Sequence, residues 1–147
     1  MSEYQQIYET TAINTSGRDG ESHLSDGSFK VDIAVPKEMG GSGNGVNPEQ
    51  LFALGYSACF NSALGVVKRQ EKISDDARVR VTTHLYKTDG APDFKIGVDI
   101  TVGIANQTPE TAQRLAEKTH LVCPYSKAVA GNIDVNITGI DYASLAD

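Results

Sequence analysis

Asn47-Pro48-Glu49-Gln50-Leu51-Phe52-Ala53-Leu54-Gly55-Tyr56-Ser57-Ala58-Cys59-Phe60-Asn61-Ser62-Ala63-Leu64-Gly65-Val66-Val67 is the stretch on which the fold turns. Asn47 is a helix-capping residue type, and Pro48 stands at a first helical position, where a missing N–H does no harm. Glu49 follows in the first turn, where an acid complements the helix dipole, and Lys68, Arg69 and Lys72 gather towards the far end. From Leu51 to Val67 there is no charged residue, so the helix is apolar nearly all round and is expected to be buried. A bilayer span needs about 20 predominantly apolar residues. This run is shorter and is interrupted by Ser57, Asn61, Ser62 and two glycines. It reads as the core helix of a soluble protein, with the thiol of Cys59 at its centre.

Downstream of that helix, Val79, Val81, Thr83 and Leu85 alternate with Arg80, Thr82, His84 and Tyr86, the period of a half-buried strand. After the turn Thr88-Asp89-Gly90-Ala91-Pro92, residues Phe94 to Ala105 alternate again, which predicts a long antiparallel hairpin. His84, on its polar face, reads as a surface residue. Thr108-Pro109-Glu110 opens a second helix, with Ala112, Leu115, Ala116 and Thr119 at helical spacing and an end near His120. Cys123-Pro124 starts a further helical turn, stopped by Gly131-Asn132, and Ile133, Val135 and Ile137 alternate as a last strand. Upstream, Tyr4 to Ile13 reads as a strand, Asn14 to Asp19 as a turn carrying Arg18, and Ser22–Leu24 with Phe29–Val35 as a hairpin through Ser25-Asp26-Gly27-Ser28. The glycine-rich run from Met39 to Gly45 lacks the Lys-Ser/Thr that a phosphate loop needs after its last glycine, so it reads as a flexible connection. Hairpin-paired strands with helices on one side make the fold α+β: antiparallel sheets packed around a long central buried helix.

A chain of 147 residues suits one domain spanning 1–147. Its net charge of −6 argues against nucleic acid and anionic membrane surfaces as partners, since both reward basic patches. The opening Met-Ser-Glu-Tyr-Gln-Gln has neither the basic nor the apolar region of a secretory signal, and two cysteines without one point to the cytoplasm.

Taken alone, a buried cysteine such as Cys59 is usually a small hydrophobe. Cys123 differs, because the start of a helical turn exposes N–H groups that stabilise a thiolate. A metal site is poorly supported, with only His120, Cys123 and Cys59 as convenient soft ligands. No Gly-x-Ser-x-Gly elbow supports a serine hydrolase.

Together, the segments Asn47–Ala53, Gly55–Phe60, Val122-Cys123-Pro124-Tyr125-Ser126, Gly131–Val135 and the Ser16–Gly20 turn resemble the organic hydroperoxide resistance proteins, of the superfamily of the osmotically inducible protein C. The resemblance implies a peroxidase without haem, metal, flavin or other cofactor, built as an intertwined homodimer. It assigns Cys59 as the peroxidatic thiolate and Cys123 as the resolving thiol, with Arg18 and Glu49 as the partners that activate Cys59. It also implies a dithiol reductant, a dihydrolipoyl group on a lipoylated partner protein. A pocket of Met39, Phe52, Tyr56, Phe60 and Tyr125 around the thiol would suit bulky organic or fatty-acid hydroperoxides, although core packing accounts for any one of these side chains as well.

Helix geometry adds a constraint. Glu49 and Cys59 are ten residues apart, on the order of 15 Å along one helix, beyond the reach of a glutamate. If both serve one site, Glu49 comes from a second, antiparallel copy of the helix, as a two-fold dimer provides. Other readings stay open: a broader-specificity peroxidase of the superfamily, a redox-sensing or ligand-binding module without turnover, or two inert core cysteines.

Overall fold

A computed structural model describes residues 3–90 and 92–145 of the chain. Contacts divide it into two compact units, Met1–Leu51 and Phe52–Asp147.

The first unit carries a three-stranded antiparallel sheet in the order β1 (Ala12–Thr15), β2 (Glu21–Leu24), β3 (Lys30–Asp32). The expected strand from Tyr4 is present only from Ala12. The preceding residues have strand composition, yet the strand does not extend over them: Thr11 O accepts from the Ser25 N–H at 2.9 Å, and Ile7 and Tyr8 stand 88% and 77% exposed. A strand is a property of two segments, and composition supplies only one of them. The glycine-rich run after a short 3-10 turn (Lys37–Met39) returns to the sheet through a parallel bridge between Ile33 and Val46. Ile33 and Ala34 are buried there.

The long helix α1 (Pro48–Gln70) starts as the sequence predicts. The Gln50 N–H donates to Asn47 Oδ1 at 2.9 Å, and the Asn47 N–H donates to Gln50 Oε1 at 2.9 Å, a reciprocal box that satisfies two otherwise orphaned donors. Its first turn belongs to the first unit and the remainder to the second. The expectation of burial all round needs correction. Tyr56, Phe60, Leu64 and Val67 form a buried stripe at helical spacing, whereas Leu54, Ala58, Ser62 and Val66 form an exposed one. One chain's sheet and helices cover one side of a helix, so an all-round apolar composition leaves a face over. At 23 residues α1 is long and apolar enough to cross a bilayer. Its buried stripe nevertheless packs in a protein core with Val98, Ile100, Val102, Leu115 and Cys123.

In the second unit, β4 (Ala77–Lys87) and β5 (Phe94–Ile104) form the predicted antiparallel hairpin, in register from Ala77 opposite Ile104 to Lys87 opposite Phe94. Ala91, in its turn, lies outside the described residues. Helix α2 (Pro109–His120) is capped by Thr108, whose Oγ1 accepts from the Thr111 N–H at 3.1 Å. Helix α3 (Pro124–Val129) follows, and then β6 (Val135–Gly139). β6 lies beside β5 and runs parallel to it, so this sheet is mixed, not wholly antiparallel as expected. The reason is the connection: a crossover through α2 and α3 returns the chain in the direction of β5. The α+β reading stands, with a helix segment inserted before the last strand.

Candidate active site

Cys59 lies mid-way along α1, facing partly inward, and Cys123 occupies the residue that opens α3. Both are free thiols. Their sulfurs are 3.7 Å apart, with the Cys123 S–H donating to Cys59 Sγ. Cys123 has no solvent exposure, and its backbone is anchored on both sides: its N–H donates to Thr119 O at 2.8 Å, and its C=O accepts from the Lys127 N–H at 2.9 Å. Burial pushes the Cys59 thiol up from its ordinary pKa. A hydrogen bond from the Tyr125 N–H opposes that shift, and the Cys123 thiol adds to it. The two sulfurs thus lie in contact, in surroundings that favour the neutral thiol of Cys59.

Charge is assembled in the first unit. The Asn14 amide fastens the turn that carries Arg18, donating to Gly17 O at 3.1 Å and accepting from the Gly17 N–H at 2.8 Å, while Gly17 takes a left-handed φ of +59°. Arg18 Nη1 and Nη2 then donate in parallel to Glu49 Oε2 and Oε1, at 2.9 and 2.6 Å. This is the bidentate pair that matches a planar guanidinium to a carboxylate. It holds the Glu49 carboxyl below the ordinary carboxylate range, while Arg18 is raised further above its own. The Glu49 side chain is 16% exposed and that of Arg18 43%, so the guanidinium keeps one side open. Asn14, Arg18, Ser22 and Pro48 border a hollow of about 320 Å³ there.

The aromatic residues expected to line the pocket divide. Tyr56 and Phe60 have no solvent exposure and belong to the core. Phe52 and Tyr125 flank Tyr56, at ring-centroid distances of 5.6 Å each. The Tyr125 ring lies over Gly55, where a Cβ would meet its hydroxyl at 2.7 Å. Met39, in the first unit, is half-exposed. What borders Cys59 in its own unit is a groove of about 380 Å³ lined by Ser62, Ala63, Val66, Val122 and Pro124. Sequence reasoning named none of these five for the site. The signal was present: Ser62, Ala63 and Val66 stand three to seven residues beyond Cys59, within two turns of one helix. Among the described residues, no three His, Cys, Asp or Glu side chains converge as a metal site would require.

Residues 41–138 match the family described as OsmC-like protein. The chain is 51% identical over 133 residues to an organic hydroperoxide resistance protein-like 2 of Staphylococcus epidermidis, covering 89% of this chain and 94% of that one. It is 38% identical to the organic hydroperoxide resistance protein of Xanthomonas axonopodis pv. citri, over 90% and 94% of the two chains. The crystal structure of the organic hydroperoxide resistance protein OhrB of Bacillus subtilis superposes with a TM-score of 0.80 at 38% identity, covering 89% of this chain and 97% of that one. With a thiol pair in contact on the segments that carry the likeness, the chain belongs to the OsmC-like family and to its organic hydroperoxide resistance proteins.

Proposed function

We propose that the chain is a cysteine-based peroxidase that reduces organic hydroperoxides, fatty-acid hydroperoxides included, to alcohols in defence against oxidative stress. The observation that carries this reading is the pair of free thiols 3.7 Å apart beside an apolar groove. The Cys59 thiolate attacks the terminal peroxide oxygen, the O–O bond breaks, and the alkoxide leaves as alcohol after taking a proton. Cys59 is then a sulfenic acid. Cys123 attacks that sulfur and expels water, giving a Cys59–Cys123 disulfide. An external dithiol, such as the dihydrolipoyl group of a lipoylated protein, reduces it by exchange. A reducing compartment such as the cytoplasm sustains the cycle.

Because burial pushes the Cys59 thiol up, the proposed attack needs a group that favours its thiolate. A cation beside a cysteine favours its thiolate, and Arg18, held by Glu49 with one face open, is suited to that role. Ten residues of helix separate Glu49 from Cys59, on the order of 15 Å. The reading therefore assigns Arg18 and Glu49 to the Cys59 of a second copy. Two features support a homodimer. The Leu54–Ala58–Ser62–Val66 face of α1 is open, and leaving side chains such as Leu54 and Val66 in water forgoes about 1.5–3 kcal/mol each. Ile7 and Tyr8, apolar residues of strand composition, stand exposed as well.

Stopped-flow mixing of the reduced protein with cumene hydroperoxide and with hydrogen peroxide tests the proposal. Rapid loss of the organic peroxide is expected, abolished in Cys59→Ser, with a trapped sulfenic acid in Cys123→Ser. A wild-type rate no faster than free cysteine overturns it and leaves a non-catalytic redox module.

A further inference from the structure

A hydrogen-bonded chain crosses the three helices that hold the thiols. Tyr56 Oη is 2.6 Å from Ser126 Oγ, and Ser126 Oγ is 2.8 Å from His120 Nδ1. Tyr56 precedes Cys59 by three residues on α1. His120, the last residue of α2, precedes Cys123 by three, and Ser126 follows Cys123 by three in α3. Tyr56 and Ser126 have no solvent exposure. Burial lowers the His120 pKa and favours its neutral form. In the tautomer with its hydrogen on Nε2, Nδ1 accepts from Ser126 and Ser126 accepts from Tyr56, so every hydroxyl hydrogen is used in one direction. Loss of the middle hydroxyl strands a buried phenol and removes one of the ties between the first turn of α3 and α1.

We propose that Ser126, held between Tyr56 and His120, is a positioning residue that fixes Cys123 for attack on the oxidised Cys59. This rests on the peroxidase reading for its biological use, although the attack itself does not need peroxide. The main chain of Cys123 is already tied to α2 and α3 by the hydrogen bonds to Thr119 and from Lys127. Towards α1, the Tyr125 N–H reaches Cys59 and the Tyr125 ring covers Gly55, and the Ser126 hydroxyl adds the one directional side-chain hold next to them. The two sulfurs must approach from 3.7 Å to a covalent bond near 2.05 Å. In a peroxide turnover the Cys59 S–O bond breaks, the S–S bond forms, and the Cys123 thiol proton leaves with the hydroxyl as water. With a mixed disulfide on Cys59, the same attack releases the other thiol, which takes that proton. A turn of helix out of place by about 1 Å slows an attack of this kind by up to roughly a hundredfold.

The test uses oxidised glutathione on the reduced full-length protein, with acid quenching and mass spectrometry of the Cys59–glutathione adduct. In Ser126→Ala and in His120→Leu the adduct is expected to persist at least tenfold longer than in the wild type before the internal disulfide forms. His120→Asn, which keeps an acceptor near the Nδ1 position, is expected to restore the wild-type lifetime. Thermal melts run alongside identify any variant that fails to fold, and a merely structural loss would lower all three melts without lengthening the adduct lifetime. A folded Ser126→Ala that resolves the adduct at the wild-type rate overturns the proposal. A wild-type chain that resolves the adduct yet ignores cumene hydroperoxide sinks the peroxidase reading and leaves the positioning role standing.

Discussion

The carboxylate of Glu49 is largely shielded while its Arg18 partner stands half in water, and that asymmetry sets how the pair responds to pH. The Arg18 hydrogen bonds hold the Glu49 carboxyl below its ordinary value of 4.5, against an opposing effect of burial. A carboxyl depressed in the folded state contributes stability that is complete above its unfolded value and is lost as the pH falls through the folded value. Urea midpoints of the wild type and Glu49→Gln should therefore differ by a constant amount at neutral pH. The gap should narrow only below 4.5, and added salt should shrink it, because the exposed guanidinium is screened. A gap that widened on acidification would remove the ion pair as its cause. Glu49 also illustrates how a residue hides its role. Its place in the first turn of a helix is sufficient reason for an acid, and only the bidentate geometry shows that it holds an arginine 31 residues upstream.

β6 and α2 constrain each other closely. The Gly139 N–H donates to Gln113 Oε1 at 2.7 Å, and Gln113 Nε2 donates to Ile137 O at 3.1 Å. A Cβ on Gly139 would collide with the backbone at Pro109 and Gln113, which no side-chain rotation can relieve. Gly139→Ala is expected to destabilise the protein at the upper end of about 1–3 kcal/mol, read as a shift in the urea midpoint. A change within about 0.5 kcal/mol, the size of an ordinary surface substitution, would mean that the helix moves away freely. The β4–β5 hairpin was legible residue by residue because its alternation is local. The direction of β6 was not: Ile133, Val135 and Ile137 alternate identically in a parallel or an antiparallel strand, and only the crossover decides. The start of the first strand was not legible for a related reason, since residues such as Ile7 and Tyr8 have strand composition whether or not a ladder reaches them. Tyr56 stands among the aromatics expected to offer the thiol apolar surface, and nothing beside it in the sequence shows where its hydroxyl goes. The hydroxyl that satisfies it in the core lies 70 residues away, at Ser126.

At the scale of the whole molecule, the reading divides labour between chains, and a mixture tests that directly. Cys59→Ser lacks the sulfur and Arg18→Ala lacks the cation, so each alone is expected to be inactive as a peroxidase. If the cation serves the other copy, half of the pairs in an equal, exchanged mixture combine the two variants. Each such pair rebuilds one site of two, about one quarter of wild-type activity. No recovery, with native mass spectrometry confirming mixed pairs, would place Arg18 beside the Cys59 of its own chain. A particle of 15.7 kDa at working concentration would end the two-copy reading altogether.

Cys59 and Cys123 are 64 residues apart in the chain. Joining them removes loop-closure entropy from the unfolded ensemble, a stabilisation of about 4 kcal/mol for a loop of that length. The same free energy read electrochemically makes the folded disulfide harder to reduce than an unfolded one by about 90 mV for two electrons. A monothiol must work against that gap and then find a second equivalent, whereas a dithiol closes a ring of its own as it opens this one. On the proposed cycle, the architecture that brings the two sulfurs together would thereby discriminate among electron donors before any docking surface is considered.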